Sequence, residues 1–387
     1  MSAPTICPVC GDEELAGFLD LPAVPVLSTV FYPDRESARS APRGDLRLAF
    51  CRRCALVWNV AFQPDMVEYT SHYENSQHFS PAFRAYAADL ADRLANSYRL
   101  DGREVVEIGS GKGEFLVELC ERSGCRGVGF DPTFDGEVDE SLGQVRILRR
   151  YYDHEAATDI NAALVLARHV LEHLADPVGF LSDIRAASGP TTPVYYEVPN
   201  AAFVFSDAGM WDLIYQHPAY FSAPTLEVAL RRAGYEVTDV RESFYGQFLS
   251  IEGRPHFSSM PGRVDLDAVD LACRRIETFA SRLNARLDQW RECLRTPSDG
   301  QVVLWGAGAK GVAFLNLLGD GHWVDRVVDV NPRKTGRFIP GTGHVIESPT
   351  ALAEDLIQAV LILNPAYDCE IREELLRLGS DAIIYTV

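Results

Sequence analysis

Val105-Val106-Glu107-Ile108-Gly109-Ser110-Gly111-Lys112-Gly113 is the stretch that decides the fold of this chain. A short β-branched, apolar run carries an acid one position before its end, and three glycines follow at alternate positions. Residues 113–122 then read as a helix. Glycine at such spacing lets the backbone turn tightly and approach a ligand with no side chain in the way. Gly127-Val128-Gly129-Phe130 reads as the next strand and ends at Asp131. A strand, a glycine turn, a helix and a second strand closing on an acid form one half of a nucleotide-binding α/β unit.

Working outward, Ala163-Leu164-Val165-Leu166 and Val194-Tyr195-Tyr196-Glu197-Val198 are further strands, and apolar spacing over residues 78–97 predicts a helix. This alternation implies a parallel sheet covered by helices. Residues 264–294 carry one long amphipathic helical pattern, ended by Thr296-Pro297-Ser298-Asp299-Gly300. Alternation then restarts with Val302-Val303-Leu304-Trp305, Arg326-Val327-Val328-Asp329 and Val360-Leu361-Ile362-Leu363. The 387 residues therefore divide into three expected units, 1–70, 71–258 and 259–387, the last two α/β.

A formal net charge of −19 repels phosphate backbones, so neither nucleic acid nor an anionic membrane is an expected partner. No apolar run reaches spanning length and no secretory signal opens the chain, so a cytoplasmic location is expected. Of nine cysteines, four form the pairs Cys7-Pro8-Val9-Cys10 and Cys51-Arg52-Arg53-Cys54. Four thiolates from two such pairs suit a closed, tetrahedral, structural zinc site.

An NAD site uses a related glycine turn, but Glu107, two positions before the first glycine, and Asp131, placed to accept from ribose hydroxyls, point to S-adenosylmethionine. Glu107, Gly109, Ser110, Gly111, Gly113, Asp131 and Pro132 are the expected cofactor contacts. Arg168-His169-Val170-Leu171-Glu172-His173 follows a strand end, where open α/β sheets place ligands. His169, a further cofactor candidate, and His173 would share a face if this segment is helical; no third metal ligand beside that pair is visible. In Trp211-Asp212-Leu213-Ile214-Tyr215-Gln216-His217-Pro218-Ala219-Tyr220-Phe221-Ser222, His217 has the chemistry of a general base, with Tyr215 and Tyr220 as phenols to hold an oxyanion. A second glycine turn, Trp305-Gly306-Ala307-Gly308-Ala309-Lys310-Gly311 with Asp329 downstream, mimics a dinucleotide fingerprint; a nucleotide site and a purely supporting fold are equally compatible with it.

Taken together, these motifs resemble the three-domain sugar C-methyltransferases, which act on nucleotide-linked 4-keto deoxysugars. The resemblance also rests on Tyr245-Gly246-Gln247-Phe248-Leu249-Ser250-Ile251-Glu252, Val328-Asp329-Val330-Asn331-Pro332 and Asn364-Pro365-Ala366-Tyr367. It implies a small N-terminal zinc module, a class I, Rossmann-like methyltransferase core and a C-terminal Rossmann-like domain. It places the family's catalytic histidine on His217, a second on His173, and a tyrosine near the start of the core on Tyr73. Gln216 stands where the family has glutamate, and an amide orients its neighbour without adding charge. The implied reaction is deprotonation beside a ketone, then attack of the enolate carbon on the methyl donor. O- or N-methylation of another natural-product or glycan precursor is the alternative. An NAD-dependent oxidoreductase using the second glycine turn is a further one. The expected substrate is a small molecule; the oligomeric state is not encoded in these motifs.

Overall fold

The computed structural model describes residues 6–68, 73–134, 136, 144–158, 160–256, 265–295, 300–319, 323–353 and 355–387. The expected unit boundaries at 70/71 and 258/259, and Thr296 to Asp299 of the expected helix break, lie outside these residues.

Seven strands form the central sheet. From one edge their order is Tyr235–Ser243, Phe248–Pro255, Val194–Pro199, Ala162–Arg168, Glu104–Ile108, Arg126–Phe130 and Val145–Leu148. The last five run parallel, while Phe248–Pro255 is antiparallel to both its neighbours. A parallel sheet that winds outward from Glu104–Ile108 in both directions, with one reversed strand near an edge, is the class I methyltransferase arrangement. Chain order reverses between Glu104–Ile108 and Ala162–Arg168. The crevice at the carboxyl ends of these two strands is where such sheets bind ligands.

Helices cover both faces because every central strand is buried on both sides. The helix Pro81–Tyr98 begins at Ser80, whose hydroxyl accepts from the Phe83 N–H, with proline at the first helical position. It buries Phe83, Ala87, Leu90, Ala91 and Leu94 against the sheet. The 264–294 pattern resolves into two helices, Leu266–Glu277 and Phe279–Arg295. Neither glycine nor proline marks the joint at Thr278, so the sequence pattern runs through it.

Five parallel strands, ordered Ile346–Glu347, Arg326–Val328, Gln301–Trp305, Ile357–Ile362 and Ile383–Thr386, make the C-terminal sheet. It repeats the winding of the central sheet, with its own reversal point beside Gln301–Trp305. A four-stranded antiparallel sheet completes the molecule: Leu15–Pro25, Arg43–Cys51, Val57–Asn59 and Ala219–Tyr220. Its fourth strand comes from the central part of the chain, so the N-terminal segment does not close its sheet alone. No helix among the described residues is long and apolar enough to cross a membrane.

Candidate active site

The first glycine turn sits at the reversal point of the central sheet. Gly109 has φ of +69°, and a Cβ there would lie 2.4 Å from Val170 Cγ2, so only glycine fits. Its N–H donates to Phe130 O at 2.8 Å, stitching the turn to the next strand. Asp131 Oδ2 accepts from the Gly111 N–H at 2.8 Å, and Oδ1 accepts from the N–H and hydroxyl of Thr133. Pro132 O accepts from Arg149 Nε at 3.4 Å. Gly113 caps the next helix in a left-handed conformation. Glu107 is buried; Oε2 of Glu107 and the hydroxyl of Ser110 have no hydrogen-bond partner among the described residues. Burial, with Asp131 and Glu197 nearby, pushes the Glu107 carboxyl up to about 8, against the pull of Arg168. A buried acceptor and a buried hydroxyl left without partners at a ligand crevice fit a cationic cofactor bearing donors of its own.

Beside the turn lies a buried ionic network that sequence reasoning missed. Glu197, fully buried in the strand Val194–Pro199, faces Arg168 at 2.9 Å and accepts from the hydroxyls of Tyr195 and Tyr86. Arg168 and its neighbours hold the Glu197 carboxyl well below the usual range despite burial. The Arg168 guanidinium also stacks over Phe115 at 4.2 Å. One signal in the sequence was available: an acid set inside the apolar run Val194 to Val198.

His169 and His173 do not share a helix face. His169 adopts φ of +54°, and only Leu171–His173 forms a single 3₁₀ turn. The His169 ring lies 3.4 Å from both Glu172 and Glu197, and these carboxylates raise it to about 9 in spite of burial. The ion pairs offset the left-handed backbone, an unusual conformation for a residue with a side chain. His173 turns the other way: its Nδ1 lies 2.9 Å from Gln216 O. Its ring meets that of His217 edge to face, with centroids 4.6 Å apart.

His217 is placed by the N-terminal sheet. Val57–Asn59 pairs with Ala219–Tyr220, and Asn59 N–H donates to Pro218 O at 2.8 Å. Burial, then the nearby His173, His169 and Lys310, holds the His217 ring well below its ordinary value, hence neutral. Gln216 does not orient His217 through its side chain. Its Oε1 accepts from Ser28 N–H at 3.1 Å, and its Nε2 donates to the Tyr73 hydroxyl at 2.7 Å. Burial pushes the Tyr73 phenol up to about 12.

The structure directs the other two phenol hydroxyls away from this group, although the Tyr220 ring meets that of His217 edge to face with centroids 6.4 Å apart. The Tyr215 hydroxyl accepts from Gln63 N–H and points toward Met66 S at 3.5 Å, on the side of the N-terminal unit. The Tyr220 hydroxyl is taken up by the backbone of Ile214. Residues 213–218 are irregular, so no period in the sequence says which side each ring faces.

The four cysteine sulfurs converge, all within 4.8 Å of one another, with Cys7 to Cys54 at 3.7 Å and Cys10 to Cys51 at 3.4 Å. A tetrahedron with ~2.3 Å zinc–sulfur bonds has edges of about 3.8 Å, so the set fits zinc. Cys54 O accepts from the Thr225 hydroxyl, tying this corner to the core.

Residues 77–240 match the model of a methyltransferase domain, and residues 271–384 match that of a C-methyltransferase C-terminal domain. The chain joins a methyltransferase domain to a C-methyltransferase C-terminal domain. S-adenosylmethionine-dependent methyl transfer is its activity. Among solved structures it is similar to the 1,6-didemethyltoxoflavin-N1-methyltransferase of Burkholderia thailandensis, at 18% identity over 46% of this chain and 82% of that one, with a TM-score of 0.36. A SAM dependent methyltransferase from Aquifex aeolicus is similar at 16% identity over 50% of this chain and 98% of that one, TM-score 0.35. The [4+2]-cyclase SpnF is similar at 15% identity over 48% and 86%, TM-score 0.37. Scores this low carry no weight for chemistry. A search of curated proteins found no match.

Proposed function

We propose that this methyltransferase acts on carbon, next to the ketone of a nucleotide-linked deoxysugar. The observation that carries the reading is the contiguous group His173, His217, Gln216 and Tyr73, with Lys310 of the C-terminal unit close enough to influence His217. Neutral His217 accepts the proton from the carbon beside the carbonyl. The Tyr73 hydroxyl, whose oxygen already receives a hydrogen bond from Gln216, donates to the enolate oxygen that develops. Bound S-adenosylmethionine supplies an activated methyl group. Glu107, Ser110, Gly111 and Asp131 hold that donor, and the protein otherwise contributes orientation. The match to a C-methyltransferase C-terminal domain supports carbon as the acceptor.

In this reading residues 1–70 form a zinc module whose sheet holds the His217 segment in register. Residues 71–258 bind the donor, and residues 259–387 border the acceptor side. Gln216 in place of glutamate affects Tyr73 and Ser28 more than His217, because those are its side-chain partners. The test offers a 4-keto sugar nucleotide in deuterated water. Exchange of the hydrogen beside the ketone without donor, and a methyl found on carbon by NMR when donor is added, are expected. A methyl found on oxygen or nitrogen, with no exchange, would replace the reading with heteroatom transfer.

A further inference from the structure

Glu172 and His217, both buried, and the half-buried His173 present one ligand atom each, all within 4.8 Å of one another. We propose that they form a second metal site, separate from the four cysteines and selective for a divalent transition ion. Two imidazoles and one carboxylate form a borderline donor set that suits zinc, cobalt or nickel ions and disfavours calcium and magnesium. A tetrahedral ion with bonds of about 2.1 Å needs its ligands roughly 3.4 Å apart. The three atoms therefore have to close by at most about 1.4 Å.

An independent observation points the same way. Glu172 is 1% exposed, and its Oε2 has no hydrogen-bond partner among the described residues. Its other oxygen faces His169 at 3.4 Å. A buried carboxylate oxygen left without a donor is costly, and a cation on it removes the cost. The surroundings also suit ligation. His173 Nδ1 lies 2.9 Å from Gln216 O, which fixes the ring. A metal-binding histidine is commonly fixed by such a carbonyl. Glu172 and His173 come from the turn after Ala162–Arg168, and His217 from the loop held by the N-terminal sheet, so an ion would pin one element to the other.

The site carries a consequence that rests on the reading of His217 as the base. One imidazole nitrogen cannot hold an ion and accept a proton at once. Ion binding and methyl transfer therefore exclude each other, and loading this site switches the enzyme off.

The test uses full-length protein whose four-cysteine site is already filled, titrated with cobalt(II). The expected result is a second equivalent, with ligand-field bands and no added sulfur-to-cobalt charge transfer. In the Glu172→Gln variant that second equivalent should bind at least tenfold more weakly. X-ray absorption on zinc-loaded wild type, which needs no variant to fold, should add a nitrogen and oxygen shell to the four-sulfur shell. Absence of a second equivalent in the wild type, or unchanged binding by Glu172→Gln, overturns the site. The activity arm is separate: saturating cobalt should slow methyl transfer at least tenfold, reversed by a mild chelator. Tight second-site binding with full activity would leave the metal site standing and remove His217 as the base.

Discussion

The two glycine turns of this chain are built alike and equipped differently. In both, the first glycine N–H donates at 2.8 Å to the last residue of the next strand, Gly109 to Phe130 and Gly306 to Val328. In both, an acid just past that strand accepts from a turn N–H at 2.8 Å, Asp131 from Gly111 and Asp329 from Ala307. This register sets Leu304 against Glu107 and Ala307 against Ser110. The two buried groups without partners in the first turn thus have apolar counterparts in the second. The acids differ as well: Asp329 forms a buried ion pair with Lys334 at 2.9 Å, whereas Asp131 faces no cation among its hydrogen-bond partners. The Rossmann-like frame alone does not make a cofactor site. Unspent polar groups at the reversal point distinguish the first turn, and among the described residues the second keeps none. This also weighs against the second turn as a nicotinamide cofactor site.

The largest test of this contrast is Asp329→Ala. It should cost about 3–5 kcal/mol, because Lys334 is left as an uncompensated buried charge. Urea unfolding measures the loss, and the double variant with Lys334→Met should recover most of it. S-adenosylmethionine affinity should stay within about twofold. A loss of affinity with little loss of stability would make the second turn a ligand site after all.

Asp131→Ala should do the reverse. Stability falls modestly, while S-adenosylmethionine binding by calorimetry weakens about 10–100-fold, the ~1.5–3 kcal/mol of a hydrogen bond to a charged group. Equal affinity in wild type and variant would remove Asp131 from the cofactor site and, with it, half of the contrast.

Glu107 sharpens the comparison through pH. Its folded carboxyl titrates near 8, above its unfolded value. In the cofactor-free protein its contribution to stability is therefore full below about 4.5 and lost as pH rises through about 8. A cationic donor works in the opposite sense, since it favours the ionised form. Below pH 8 its binding should release a proton, and affinity should climb with pH by at most about tenfold per unit. Glu107→Gln should show neither effect. Calorimetry in buffers of different ionisation enthalpy reads the proton release.

The first turn was legible because everything that defines it is local: glycine spacing, a preceding strand, and an acid one strand later. The same locality exposed the two Cys-x-x-Cys pairs and both α/β units. The Arg168–Glu197–Tyr86 network was not legible, since it joins elements brought together only by the sheet. Nor was the parting of His169 from His173, which turns on one left-handed residue that no spacing announces. Tyr215 and Tyr220 were grouped with His217 because they are near in sequence. The chain's irregular path there aims all three differently, and the strand Ala219–Tyr220 is claimed by a sheet whose other strands lie more than 150 residues earlier.

The two turns also meet, through one residue. Glu74 Oε2 pairs with Lys112 of the first turn at 2.8 Å and lies 3.5 Å from Arg333, while its Oε1 accepts from Asn331 just past Asp329. Lys112 and Arg333 are each nearly half exposed, so solvent screens these pairs and their net contribution is small. Glu74→Gln keeps an acceptor for Asn331 and removes only the charge. It should lower stability by about 1 kcal/mol or less, with the loss shrinking as salt is raised. S-adenosylmethionine affinity should change by less than about threefold, because the contacts proposed for the donor are Glu107, Ser110 and Asp131. A tenfold loss would mean that the C-terminal unit holds the first turn in its binding geometry. The second turn would then be a working part of the cofactor site, reached through Asn331 and Arg333 rather than through its own glycines.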